Sequence, residues 1–246
     1  MKKILFIIDN VFQYEKIKNL IESKKIPNVQ FDFRHSNIRS SIWNHKDFIG
    51  GDKIIDVKYD LQWIITNFDI VFSVHCFQFF PKELVNKVTC VNVHPGYNPI
   101  NRGWYPQVFS IIENLKIGAT IHLMDDKLDN GPIILRKFAT KYDWDTSFTL
   151  YNRVLDLEIE LLENNFEKII EGKYDVLVPE SKGNFFSKVD FYDLCEIDMN
   201  KEGTFQEFYD TLRALTHGTY KNAYFISKES GEKIYISLNI EKNVQQ

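Results

Sequence analysis

The run Ile4 to Ile8, five apolar residues with no polar interruption, constrains the fold of this chain most. A strand with one wet face alternates apolar and polar residues, whereas a run that is apolar throughout suits a strand covered on both faces, as in parallel sheets. Val88, Cys90, Val91 and Val93 make a second strand of mostly apolar residues, and Val29 to Phe33, Lys53 to Val57 and Ile70 to Val74 are read as further strands. Between them, Tyr14, Ile17, Leu20 and Ile21 recur at helical spacing within Gln13 to Lys24, and helices are expected over Leu61 to Asn67 and Lys82 to Lys87. Alternating strands and helices predict an α/β fold with a doubly wound, mostly parallel sheet.

The alternation continues through a helix from Tyr105 to Glu113, with Pro106 in its first turn, and a strand from Ala119 to Met124 carrying His122. A turn-rich loop from Asp125 to Pro132 and a strand from Ile133 to Phe138 follow. Asp145 or Thr146 caps the longest helix, whose stripe of Phe148, Tyr151, Leu155, Ile159, Leu162, Phe166 and Ile169 ends at Gly172. Residues 1–172 are therefore expected to form one domain. Residues 173–246 lose the rhythm and predict a small β-rich region with one helix (Thr204 to Thr216) and a hairpin (Ala223 to Ser227 with Lys233 to Leu238).

Several function classes are disfavoured. The formal charge of −4 and the scattered Lys and Arg argue against a nucleic-acid partner, which needs a basic stripe. No apolar run approaches the length of about eighteen residues that a membrane span needs, and the amino-terminal run is too short for a signal peptide. Cys76, Cys90 and Cys195 show neither paired nor metal-ligand spacing, which suits a reducing cytoplasm. The connection Asp9-Asn10-Val11-Phe12-Gln13 has no glycine, so a dinucleotide-binding turn is discounted. The cluster Asp125, Asp126 and Asp129 lacks the ordered spacing of a calcium loop, and no metal is expected.

Chemistry concentrates at the end of the Val88 strand. Asn92 and His94, two residues apart, share a strand face before Pro95-Gly96 stops it, at the carboxyl edge where open α/β sheets bind ligands. A carboxylate beside an imidazole fixes its tautomer and favours its charged form, and an amide N–H can stabilise an oxyanion. With Asp129 after the next strand, such a set suits acyl transfer to an amine.

The combination Asn92-Val93-His94-Pro95, Gly118-Ala119-Thr120-Ile121-His122 and Met124-Asp125-x-x-x-Asp129-x-Gly131-Pro132-Ile133-Ile134 resembles the folate-dependent formyltransferases, over about residues 1–172. The resemblance implies a catalytic triad of Asn92, His94 and Asp129 and N10-formyltetrahydrofolate as formyl donor. It places the donor's pterin against Cys76, Phe77, Gln78, Phe79 and Phe80, with Met124, Asp125 and Asp126 opposite. The flanks, His94-Pro95-Gly96-Tyr97-Asn98-Pro99 through Gln107 and Leu212-Arg213 through Phe225, look like the sugar N-formyltransferases, nearest to those acting on dTDP-4-amino-4,6-dideoxyglucose for surface polysaccharide such as O-antigen. Members are similar in being dimeric, so a homodimer is implied.

Substrate contacts are then expected from Asp9, Asn10, Tyr97, Asn98, Trp104 and Tyr105, and the nucleotide diphosphate from Arg102, Arg213, Tyr220 and Asn222. A methionyl-tRNA formyltransferase shares the triad and stays as an alternative, as does a sugar-nucleotide binding protein without activity.

Overall fold

The computed structural model describes residues 1–36, 42, 44–48 and 53–243. Its centre is a six-stranded sheet built from β1 (Lys2–Ile8), β2 (Val29–Arg34), β3 (Ile70–Val74), β4 (Thr89–His94), β6 (Ile117–Leu123) and β7 (Ile133–Ala139), in the order β2-β1-β3-β4-β6-β7. The short β5 (Arg102–Gly103) lies between β4 and β6 in the chain and outside this sheet. The first four strands pair in parallel. β6 then runs antiparallel to β4, and β7 antiparallel to β6, with a register shift at Ile121/His122. Residues 4–8 are completely buried, as their composition requires.

Helices cover both faces: α1 (Val11–Lys24), α2 (Leu61–Asn67), α3 (Lys82–Lys87), α4 (Pro106–Ile112) and α5 (Ser147–Glu171). Two apolar layers result. One packs Leu5, Ile7, Val71 and Cys90 against Ile64 and Leu84 of α2 and α3. The other packs Ile4, Phe6, Phe72, Val91 and Val93 against α1, α4 and α5. Phe6 stacks on Phe72 and Phe33 with centroids 4.7 and 5.2 Å apart, so much of the aromatic content is core. Thr146 caps α5 through Thr149 N–H. The buried face of α5 runs through Leu150, Val154, Leu157, Leu161 and Ile170 beside the expected stripe, while Phe148 is 43% exposed. Instead of the short strand expected over Lys53 to Val57, one bridge joins Ile54 to His35.

Beyond Gly172 the chain has β8 (Phe185–Phe186), α6 (Lys188–Cys195), α7 (Phe205–Leu215), β9 (Tyr224–Ile226) and β10 (Lys233–Tyr235). The helix and hairpin expected here are present; α6 is an additional helix, started by a Ser187/Asp190 capping box. β8 pairs with β5 in parallel, and Phe191, Cys195, Ala214, Leu215 and Ala223 join the same core as the sheet.

Candidate active site

The antiparallel turn of β6 builds the floor of the site. It sets His122 opposite Asn92 and Thr120 opposite His94, and the loop after β6 carries Asp129 back over them. Asn92 Nδ2 donates to Asp129 Oδ1 at 3.0 Å and lies 3.2 Å from His122 Nε2. His122 Nδ1 faces the Leu123 carbonyl at 2.8 Å and must carry its proton, which leaves Nε2 as an acceptor for the Asn92 amide. His94 Nε2 likewise donates to the Asn101 carbonyl at 2.9 Å, so its basic nitrogen is Nδ1, 3.6 Å from Asp129 Oδ1. That distance is too long for a hydrogen bond but short for a charge interaction. The Asn101 carbonyl, rather than Asp129, thus fixes the resting tautomer of His94.

Asp129 is 7% exposed and accepts Gly103 N–H at 3.0 Å through Oδ2. Burial alone would raise its carboxyl; the imidazoles of His94 and His122 beside it and the Gly103 amide outweigh that and hold it down at about 2. Its backbone, at φ +49°, is left-handed, as is that of His75 (φ +53°) and Tyr105 (φ +51°). All three residues line one cleft, and strained backbone of this kind concentrates at functional sites.

The cleft has a volume of about 660 Å³ and opens above Asn92 and His94. Its lining includes Phe77, Phe79, Phe80 and Met124 together with Trp104, Tyr105, Tyr192, His217 and Tyr220, and Phe77 lies parallel to Trp104 with centroids 6.0 Å apart. Phe77 and Phe79 are 49% and 52% exposed, an apolar wall left wet for a flat ligand. Tyr105 stacks on Phe191 at 3.9 Å, and burial with neighbouring Tyr192 pushes its phenol up to about 12. Among the described residues, no group of three or more His, Cys, Asp or Glu could hold a metal ion. No described helix is long and apolar enough to cross a membrane.

The family model described as formyl transferase matches residues 16–165, and that described as the N-formyltransferase dimerization C-terminal domain matches residues 190–242. The dTDP-4-amino-4,6-dideoxyglucose formyltransferase of Mycobacterium tuberculosis is 46% identical over 186 residues, 76% of this chain and 79% of that protein. The chain belongs to the sugar N-formyltransferase family. A 4-N formyltransferase from Francisella tularensis superposes with a TM-score of 0.91 at 42% identity, covering 98% of each chain. A sugar N-formyltransferase from Shewanella superposes with a TM-score of 0.92 at 40% identity, covering 98% of this chain and 99% of that one.

In this formyltransferase the cleft gathers Asp9, Asn10, Cys76 to Phe80, Asn92, His94, Trp104, Tyr105, Met124, Asp125, Asp129, Tyr220 and Asn222 of the residues expected from sequence. Several of these are engaged structurally: Asp9 accepts from Ser36 and Phe77 N–H and ties three loops together, Asn10 caps α1 through Gln13 N–H, Gln78 bridges Val57 N–H and the Ser36 and Ile55 carbonyls, Asp125 accepts from Asn130, and Asn222 donates to the Leu215 carbonyl. Five others lie outside the lining. Arg213, 5% exposed, is held by Asp210 and the carbonyls of Tyr142 and Asp145. Arg102 donates to Asn130 from β5, and Asn98 donates to the Asp129 carbonyl, supporting the loop from below. Tyr97 is packed between Phe138 and Arg136, and Asp126 pairs with Lys82 on the surface.

Sequence reasoning did not assign Tyr151, Phe191 or Tyr192 to the site, and it met His75, His122 and His217 only as members of motifs, without a role for them. His75 follows β3 at the same sheet edge as His94. Tyr192 reaches the cleft only through tertiary packing of α6, and nothing local marks it, whereas His217 lies in the flank from Leu212 to Phe225.

Proposed function

We propose that this enzyme transfers the formyl group of N10-formyltetrahydrofolate to the 4-amino group of a dTDP-linked 4-amino-4,6-dideoxyhexose, dTDP-4-amino-4,6-dideoxyglucose, as a cytoplasmic homodimer supplying surface polysaccharide such as O-antigen. The observation that carries the chemistry is the meeting of Asn92, His94 and Asp129 at the cleft floor. The acceptor rests on the 46% identity to the mycobacterial enzyme. A dimer is supported by the match of residues 190–242 to a dimerization domain and by exposed Val189 beside it and exposed Phe205 within it.

The wet aromatic wall of Phe77 and Phe79, backed by Phe80 and Met124, fits the flat heterocycle of a folate. Bound there, N10-formyltetrahydrofolate supplies the formyl carbon and a nitrogen leaving group. His94 Nδ1, the unprotonated nitrogen, takes a proton from the attacking amine. Once charged, it draws Asp129 Oδ1 closer from 3.6 Å, in competition with the Asn92 amide now at 3.0 Å. The Asn92 N–H so released can donate to the oxygen that becomes negative.

The test is mass spectrometry of products from a panel of dTDP-aminosugars, with initiator methionyl-tRNA as a competing acceptor. His94→Ala and Asn92→Ala should each lower kcat by about a hundredfold or more while dTDP still raises the melting temperature. Near-parental turnover by either variant would overturn the assignment, and formylation of the tRNA alone would overturn the acceptor.

A further inference from the structure

A second polar chain reaches the cleft through His75 and Tyr151. Glu158, completely buried in the middle of α5, accepts from Gln13 and from His75 Nε2 at 2.8 Å. His75 Nδ1 lies 3.0 Å from the Tyr151 hydroxyl. Because His75 Nε2 faces a carboxylate, it carries the ring proton, so Nδ1 accepts and Tyr151 donates. With its proton in the hydrogen bond to His75, the phenol oxygen keeps its lone pairs for the cleft that Tyr151 lines. A glutamate without water needs a reason to be there, since burying a charge is costly unless it is paired.

The proton count of the reaction supplies one. An alkylammonium brings three protons to the site. One stays on the amide product and one goes to the departing nitrogen by way of His94, so the third must leave before attack. His94 is 4% exposed, has one nitrogen fixed by Asn101, and has a single vacancy. His75 follows Val74 as His94 follows Val93, and Val74 and Val93 are paired on neighbouring strands, so the two imidazoles start from adjacent positions at one sheet edge.

We propose that Tyr151, His75 and Glu158 form a second proton path that removes this surplus proton from the acceptor's ammonium group, a role that rests on the amine-acceptor reading above. The ammonium N–H breaks as an O–H forms on Tyr151. The original Tyr151 proton passes to His75 Nδ1, and the resulting imidazolium is balanced by Glu158. When product leaves, the proton returns along the same path to water in the cleft. Burial, followed by the charge of Glu158, pushes the Tyr151 phenol up, so the hydroxyl stays protonated between turnovers.

The titratable groups around this chain are Asp9 at the end of β1, His94 at the end of β4, and His217 and Tyr220 after α7. The His217 ring lies 5.5 Å from that of Tyr151, and its Nδ1 is engaged by Ser147 Oγ at 2.9 Å, so it does not continue the path.

Tyr151→Phe keeps the ring packing and removes the path. Its kcat for formyl transfer should fall on the order of tenfold to a hundredfold at pH 6, with KM for the sugar nucleotide nearly unchanged. The deficit should close as pH rises past the acceptor's own ammonium pKa, where no surplus proton arrives. Glu158→Gln, which keeps shape but cannot balance an imidazolium, should show the same pH signature. A deficit equal at every pH, or none at pH 6, overturns the proposal. His94→Ala should be inactive across the whole range, which separates the path from the triad. Long-range proton–nitrogen NMR of the imidazoles reports independently of turnover: His75 should be protonated at Nε2 with Nδ1 free, and the opposite tautomer overturns the proposal even if the parent enzyme formylates no amine.

Discussion

Gly96→Ala tests whether the His94 tautomer matters, because it touches that one hydrogen bond and little else. A Cβ at position 96 would lie 2.4 Å from His94 Nε2 and 2.6 Å from the Asn101 carbonyl oxygen, inside the 3.4 Å at which ordinary contact begins. Both partners must retreat from the methyl by roughly 1 Å, which opens a 2.9 Å bond beyond hydrogen-bonding range. Leaving a buried donor and acceptor unmatched costs about 1–3 kcal/mol. The stiffer unfolded chain of alanine returns about 0.4–1 kcal/mol. The net loss, about 1–2 kcal/mol, is small against the 5–15 kcal/mol of a typical domain, so the variant should fold and can be assayed. Activity should suffer more. With neither nitrogen held, His94 divides between tautomers and loses its aim, and general-base catalysis is worth about 10²–10⁴ in rate. We expect kcat/KM for formyl transfer to fall by at least about tenfold, measured beside a urea titration that gives the folded fraction. A variant whose urea midpoint drops while kcat/KM stays within about twofold of the parent would show that the Asn101 contact serves stability alone.

Two further outcomes follow from the same region. The Asp129 carboxyl titrates at about 2 in the folded chain against an ordinary 3.8, so the ionised group stabilises the fold above pH 4, and that contribution, about 2 kcal/mol, is lost as pH falls through 2. Asp129→Asn should flatten this part of the acid-unfolding curve in urea titrations from pH 5 to 2, and an unchanged slope would refute the assigned interaction. Gly183 adopts φ +59°, and a Cβ there would come within 1.8 Å of the Pro99 carbonyl oxygen, where Asn184 N–H now donates at 3.0 Å. Gly183→Ala should cost about 2 kcal/mol and lower the melting temperature by about 4–8 °C in calorimetry, and an unchanged midpoint would refute the close approach.

The parallel half of the sheet was legible because residues 4–8 and 70–74 are apolar at nearly every position, which leaves their burial no alternative. The reversal at β6 was not, since its sequence suits a strand of either direction; it is this reversal that sets His122 against Asn92. Asn92 and His94 could be paired by strand period alone, whereas the return of Asp129 depends on a nine-residue excursion from Met124 to Pro132 that only the motif suggested. Arginines misled for an electrostatic reason. Arg213 looked available for phosphate, but its guanidinium holds the Tyr142 and Asp145 carbonyls, a contact between residues some 70 positions apart. Glu158 could have been noticed, for it sits one turn from Leu155 and Leu162 on a helix face that is otherwise hydrocarbon.

Glu158 also limits how α5 can assemble with the rest of the chain. A 25-residue helix with a broad apolar face could slide along its neighbours by a turn, about 5.4 Å, and still find hydrocarbon to bury. Each such slip would part Glu158 from Gln13 on α1 and from His75 beyond β3, leaving a carboxylate against leucine. Only one axial setting satisfies all three side chains. The same glutamate therefore acts as a vernier for the longest helix, selecting the one docking position in which Tyr151 faces the cleft.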